Sequence, residues 1–301
     1  MHFFESGIAA ALLAASSAWP LHLGAQPLPT PSAIAASDIL SQARQDIPFS
    51  SQSGYTAQTL GQHIEVESIP ETGIHGTRLA NGDTIRIGKV EDPANFGRKA
   101  LVFQVSPTDP DTSGSKRSEL AMEPNIELNK VYWVAFRAFV YDWGRLRPDD
   151  ESILGMQVHS GDDPRGLSPS LCLCVVDARA NFEVISLTYP GSNPTPRTFT
   201  KTRHAKRPVR FGRWTDFVFR FRQSITSSGM LQVWMDGEQI VDYTGGLGFN
   251  TPGFKDYMKF GYYNWSGLDS SRKILLQAPT LVLDPTGSKY TASDLRAHIN
   301  K

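Results

Sequence analysis

The sequence predicts an all-β chain, folded as an antiparallel β-sandwich of jelly-roll, concanavalin-like type with one concave face left open as a groove. Three observations carry this. Apolar and polar residues alternate with a period of two in one segment after another beyond Ser50: AFRAFVYDW, FVFRFRQ, MLQVWMDGEQIVDY and KILLQAPTLVLD. No stretch longer than about ten residues carries an apolar stripe at helical spacing. Finally, 25 Gly and 20 Pro stand beside 16 Phe, 9 Tyr and 6 Trp, the mixture of turn formers and strand formers that short strands joined by tight turns require.

With 301 residues, 40% hydrophobic and 20% charged, the chain has ample material for a packed core and no composition of disorder. Lys plus Arg and Asp plus Glu are 30 each, so no field from the whole surface draws the chain to nucleic acid or to an acidic membrane. Neither partner is expected, and a monomer is. Two cysteines exclude a disulfide-dense scaffold and a four-thiolate zinc site.

From the amino terminus, Ile8 to Trp19 is an apolar run too short for the roughly 20 residues of a membrane span, but suited to the core of a signal peptide. Residues 1–25 are therefore expected to be a signal peptide ending near Ala25, which implies a secreted or periplasmic protein. Residues 26–50 read as a Pro/Ala linker with a short helical stretch from Asp38 to Gln45. Residues 51–301 read as one sandwich domain without a linker-like break. Within it, Asp236-Gly237 is a two-residue hairpin signal, and Ser228-Gly229 marks the turn before it. Cys172 and Cys174, in SLCLCVV, point to the same face of one strand and are expected as small buried hydrophobes, since a bridge between them would be strained.

Alternation also says where chemistry can sit. In YMKFGYYNW, Tyr257, Lys259, Gly261 and Tyr263 share one face, with Met258, Phe260 and Tyr262 on the other. In ILGMQVHS, Gly155, Gln157 and His159 oppose Leu154, Met156 and Val158; in KRSELAM, Arg117 and Glu119 oppose Ser118 and Leu120. Singly, each has a plain structural reading as a surface histidine, a cross-strand ion pair or a packed tyrosine. Together, always on the parity opposite the apolar residues, they point to one groove. Gly155 and Gly261 are expected to leave room for a ligand there.

The strings RSEL, QVH and YMKFGYYN, in this chain order, resemble the jelly-roll polysaccharide lyases. Alginate lyases of this group carry Arg-x-Glu-Leu, Gln-(Ile/Val)-His and Tyr-x-Lys-x-Gly-x-Tyr-Asn segments. The stretch WTDFVFRFRQSITSSGMLQVWMDGEQIVDY, with SPSL after the histidine segment, is more similar to the glucuronan-lyase and heparin-lyase branch. The resemblance runs from about Thr77 to Asp284. Two departures, Ala121 where a second Arg often follows and Trp265 where alginate lyases usually have Gln, bear on the substrate more than on the reaction.

The resemblance implies cleavage of a uronic-acid polymer by β-elimination, and it implies roles. Arg117 and Gln157 would bind the substrate carboxylate beside His159. Tyr263 would be acid to the leaving oxygen, and also base where proton and leaving group lie on one side; His159 is the base where they lie on opposite sides. A phenol titrates near about 10 in water, so its use as a base asks for positive charge beside it, for which Lys259 and Arg117 are placed. Lys259, Glu119, Tyr257, Asn264, Arg203 and Arg207 are expected as substrate-binding residues. The last two belong to KTRHAKRPVRFGR, which reads as a rim that concentrates an acidic polysaccharide.

Two other classes share parts of this pattern. A lectin-like jelly roll would keep the groove without catalysis. A sandwich-fold glycoside hydrolase needs two matched carboxyl groups, and EVESIPE, with Glu65 and Glu67, lacks matching partners. No cofactor is called for: no histidine pair stands at ligand spacing with a carboxylate, Asp162 and Asp163 read as a turn, and a structural calcium would leave no mark in the sequence. Asn264-Trp265-Ser266 matches a glycosylation sequon and is read as fortuitous.

Overall fold

The structure, a computed structural model, describes residues 30–46, 52, 55–59, 62–65, 86–160, 167, 169–189, 198–250 and 255–301. The expected signal peptide, most of the 26–50 segment's beginning, Glu67, Asp162 and Asp163 lie outside the described residues. So does the cleavage point near Ala25.

In chain order the strands are β1 (Ile39–Gln42), β2 (Tyr55–Thr59), β3 (Gln62–Glu65), β4 (Ile87–Glu91), β5 (Lys99–Val105), β6 (Lys116–Asn125), β7 (Val131–Val140), β8 (Glu151–Ser160), β9 (Leu171–Val176) and β10 (Asn181–Thr188). There follow β11 (Thr200–Pro208), β12 (Trp214–Arg222), β13 (Met230–Met235), β14 (Glu238–Thr244), β15 (Asp256–Asn264) and β16 (Arg272–Asp284), and then one helix, α1 (Ala292–Ile299). They form two eight-stranded sheets. One runs β14-β13-β12-β7-β16-β5-β4, with β1 added to β16; the other runs β11-β10-β9-β8-β15-β6-β2-β3. Every ladder is antiparallel. The predicted all-β sandwich is what folds.

The alternation read from the sequence decides which residues fill the sandwich. Leu154, Met156 and Val158 of β8, Met258, Phe260 and Tyr262 of β15 and Leu120 of β6 meet Val134, Phe136, Phe217 and Phe219 of the other sheet in one core. Phe136 stacks on Phe217 and Phe219 and meets Phe260 edge-on. A buried side chain of this size contributes about 2–3 kcal/mol.

The back of the first sheet is covered in turn. Leu295 and Ile299 of α1 pack on Trp133, Ala135 and Val218, with Ile34 and Ile39 beside them. Alternation could not announce α1, because eight residues give barely two helical turns. Its start is set by a capping box in which Thr291 and Asp294 exchange side-chain and backbone hydrogen bonds. With that face closed, the outer face of the second sheet is the one left to build a cleft.

The helical stretch expected from Asp38 to Gln45 is corrected: Ala36–Asp38 is a single 3-10 turn, and Ile39–Gln42 is strand β1. The first half of β16 is paired on both sides, by β5 and β7. Its second half leaves the β5 side open, and β1 fills it, with Ile39 opposite Val282 and Gln42 opposite Thr280. Satisfying those backbone groups outweighs the local preference of the segment.

The Asp236-Gly237 hairpin is as predicted: φ is 52° at Asp236 and 91° at Gly237, the paired left-handed turn that suits the twist of β13 and β14. The reading of Gly155 and Gly261 as ligand clearance is corrected. Both have positive φ, 90° and 140°. A Cβ on Gly155 would meet Phe136 at 2.6 Å, and one on Gly261 would meet Glu119 Cα at 2.8 Å and the Ser118 carbonyl. The two glycines face each other across β8 and β15, and they are required by the core and by strand β6.

Among the described residues, no helix is long and apolar enough to cross a membrane.

Candidate active site

The outer face of the second sheet holds a cleft of about 740 Å³. Its floor is built row by row. Residues directly opposite in an antiparallel pair share a face, so the register brings distant parts of the chain together. Tyr263 of β15 stands between Arg117 of β6 and Ile153 of β8. Lys259 stands beside Gln157, which in turn stands beside Cys172 of β9. Tyr257 stands beside His159. Arg117, Gln157, His159, Tyr257, Lys259 and Tyr263 all line the cleft.

The side chains interlock. Arg117 lies over the Tyr263 ring, 4.3 Å from its centroid. Its Nη2 donates to Ser115 Oγ at 2.8 Å, and its Nη1 lies 3.7 Å from Glu119 Oε2. Gln157 Nε2 donates to Glu119 Oε1. An amide nitrogen has two hydrogens, so one remains available, and Gln157 Oε1 is buried without a partner. Glu119 does not line the cleft but holds Gln157 and Arg117 from behind. Lys259 Nζ is 5.5 Å from the Tyr257 ring centroid, and the His159 and Tyr257 rings lie 5.8 Å apart.

Burial, with the charges of Lys259 and Arg117, pushes the His159 imidazole down to about 3. It is therefore neutral near neutral pH, with a lone pair to offer as a base. Such a depressed histidine in a cleft, beside two cations, is a pattern common at functional sites.

Sequence reasoning missed Gln58 of β2, a cleft-lining residue buried opposite Glu119. Its Oε1 accepts from Lys259 Nζ at 3.0 Å and from Arg117 Nη1 at 3.3 Å. Glu151 of β8 was missed as well. Glu151 lines the cleft, where it accepts from Lys201 at 2.7 Å and Arg203 at 3.0 Å. Burial pushes its carboxyl up, but those two cations more than offset the burial and hold it below the usual range.

Of the expected binding residues, Lys259 and Tyr257 line the cleft, Glu119 and Arg203 do not line it, and Asn264 and Arg207 do not face it. Asn264, one position beyond Tyr263, falls on the opposite face: it is buried, and its Nδ2 donates to Ser152 Oγ at 2.7 Å. Tyr262 donates to the same oxygen at 2.9 Å, and Ser152 donates to Asp150 at 3.1 Å. The residue supports β15 from beneath, and its burial keeps the sequon out of reach. Arg207 stands opposite Phe182, a core residue, and bonds Glu238 of the other sheet. Arg203 does share the cleft face, opposite Ile185, but it is held by Glu151 and Glu183 and is not a lining residue. Lys201 is the cluster's lining residue.

The basic cluster is thus compensated: Lys206 pairs with Asp177 and Arg210 with Asp236. Cys172 and Cys174 are buried and unbridged, with Sγ atoms 2.9 Å apart in an apolar patch with Ile153, Val176, Ile185 and the edge of Tyr263. Burial first, then the neighbouring Cys172, raises the Cys174 thiol well above its ordinary value, so it stays protonated. Trp265 lies at the cleft margin, 44% exposed, its ring 5.3 Å from that of Tyr263. Among the described residues no group of three or more His, Cys, Asp or Glu could hold a metal ion.

Comparison with known proteins follows the same line. The family model described as polysaccharide lyase matches residues 61–278. The fold is similar to that of an endo-β-1,4-glucuronan lyase from the fungus Trichoderma reesei, with a TM-score of 0.54 and 14% identity over 78% of this chain and 96% of that one. It is also similar to alginate lyase A1-II', a member of polysaccharide lyase family-7, with a TM-score of 0.51 and 16% identity over 77% of this chain and 95% of that one. A search of curated proteins finds no match.

Proposed function

The chain belongs to the polysaccharide lyase family, and from that premise we propose that it cleaves a uronic-acid-containing polysaccharide by β-elimination in the cleft above Tyr263. The observation that carries the reading is the convergence of Arg117, Gln157, His159, Lys259 and Tyr263 on one floor. The similar structures are named for glucuronan and alginate, both polyuronates, which agrees with a cleft whose buried floor holds two cations, Arg117 and Lys259.

The chemistry follows from what each group can do. A proton at C5 of a uronate is weakly acidic because the adjacent carboxylate is already negative. Binding that carboxylate through Arg117 and the second N–H of Gln157 offsets the charge and stabilises the enolate-like state. The base then takes the C5 proton, the freed electron pair forms the C4–C5 double bond, and the C4–oxygen bond breaks. Tyr263 gives its proton to the departing oxygen. Neutral His159 is the base when proton and leaving oxygen lie on opposite faces of the sugar; when they share a face, Tyr263 serves first as base and then as acid. No water enters the broken bond.

A polymer of this kind is met outside the cytoplasm, which fits the secreted or periplasmic location that the apolar Ile8–Trp19 run suggests. The test is incubation with glucuronan, polymannuronate, polyguluronate and heparin, following the ultraviolet absorbance of the unsaturated uronate. Product from at least one polymer is expected. Binding without unsaturated ends would make the protein lectin-like, and new reducing ends without that absorbance would mean hydrolysis.

A further inference from the structure

Helix α1 covers only part of the outer face of the first sheet. It packs on Trp133, Ala135 and Val218, and beyond Trp133 the register lays Met230 of β13, Arg222 of β12, Val131 of β7 and Asp284 of β16 side by side in one row. That row is the floor of a second cavity, of about 370 Å³. The volume lies within the range of about 300–1,000 Å³ usual for small-ligand sites. Three cations, Lys130, Arg220 and Arg222, line it against one carboxylate, that of Asp284.

Two of these charges are committed to the fold. Asp284 is buried and accepts from Trp133 Nε1 at 3.2 Å and from the backbone N–H groups of Gly287 at 2.8 Å and Lys289 at 3.2 Å. Arg220 donates to the Gly287 carbonyl and, at 2.7 Å, to Gln232, so the 284–289 turn is held as a fixed wall. Arg222 differs: its Nε donates to the Ser228 carbonyl at 2.9 Å, and neither Nη has a partner among the described residues. A half-buried guanidinium with that edge unspent is shaped for a carboxylate. Beside it Met230, Val131 and Leu283 offer an apolar surface to the C–H face of a sugar ring.

We propose that this cavity is a second binding site for the uronate polymer, on the sheet opposite the catalytic cleft, in which Arg222 holds a carboxylate and the apolar residues hold the ring. A small inorganic anion would use the arginine alone and leave the apolar floor empty, so the combination favours a sugar acid. A long chain held here stays at a raised local concentration near the cleft between cuts. A short oligomer gains nothing from it. The inference rests on the lyase reading above, and its test separates the two.

Arg222→Gln removes the guanidinium, and Met230→Glu keeps it but sets a carboxylate directly opposite, so either change should empty the site. Titration calorimetry with a uronate trisaccharide, in a Tyr263→Phe background that prevents turnover, should count two sites per chain in the parent and one in each variant. The cleft site that remains shows that the variant is folded. Inorganic phosphate, as the control anion, should not displace the trisaccharide. With Tyr263 intact, each variant should raise KM on a long polymer by about threefold to fivefold, the size of one partly exposed ion contact, and leave KM on the trisaccharide unchanged. A single site in the parent, an unchanged count in either variant, displacement by phosphate, or equal changes of KM on polymer and trisaccharide would overturn the second site while leaving the lyase intact. Absence of unsaturated product from the unaltered protein on every polymer would instead overturn the lyase reading, and the calorimetric count would still decide whether the second site exists.

Discussion

Arg117 and Tyr263 are opposite each other in the register of β6 and β15, and the guanidinium packs over the phenol ring at 4.3 Å from its centroid. The ring therefore has a packing task separate from the task of its hydroxyl. Tyr263→Phe keeps the face that Arg117 covers and removes only the proton donor. Formation of unsaturated product should fall by a factor of about 10²–10⁴ while KM stays close to that of the unaltered protein. Substantial ultraviolet absorbance from this variant would assign the proton transfer to another group.

A second prediction concerns acid stability. The folded His159 is pushed down to about 3 from 6.5, chiefly by burial, so between those values the unfolded chain binds a proton that the folded chain does not. Stability from this residue is thus lost as pH falls from about 6.5 toward 3. Chemical denaturation of His159→Gln across that window should show a shallower loss than the parent. Parallel curves would mean that the imidazole protonates without unfolding cost.

Trp265 is exposed and adjoins Tyr263, so it offers a flat apolar face at the point where a sugar next to the cleaved bond would lie. Aromatic stacking of this kind contributes about 0.5–1.5 kcal/mol. Trp265→Ala should accordingly raise KM by roughly threefold to tenfold, with kcat and the melting temperature nearly unchanged. A fall in kcat with an unchanged KM would instead place the indole in the chemistry.

The pairing of the basic cluster separates two residues that look alike in the sequence. Lys201 lines the cleft, whereas Arg207 faces Glu238 on the other sheet. Lys201→Ala should raise KM by about threefold at low salt, as expected for an exposed ion contact, and the effect should shrink as salt is added. Arg207→Ala should leave KM where it was. An equal effect of the two substitutions would restore the picture of a basic rim acting as a whole.

How far the sequence could be read follows from the range of each interaction. The faces of β6, β8 and β15 were legible because alternation is local: Met258, Phe260 and Tyr262 are in the core, and Tyr257, Lys259 and Tyr263 line the cleft. The same rule places Asn264 beneath the sheet, on the parity of Tyr262, although the motif resemblance implies a binding role for it. Gln58 left no local signal, since it reaches Arg117 across 59 positions and Lys259 across 201. Compensation of the basic cluster was equally hidden, because Glu151, Asp177, Glu183, Asp236 and Glu238 come from separate strands and turns. Strand β1 and the role of Gly155 are set by an open edge and by the ring of Phe136, which only the folded molecule supplies.

The two strands at the centre of the sheets are the last two to be made. β15 sits between β8 and β6, and β16 between β7 and β5. A growing chain therefore holds both sheets as separated halves until these strands emerge, and assembly must wait for the closing of very long loops, which makes it slow. Loss of the strands at the end would leave the halves of each sheet without their shared neighbour.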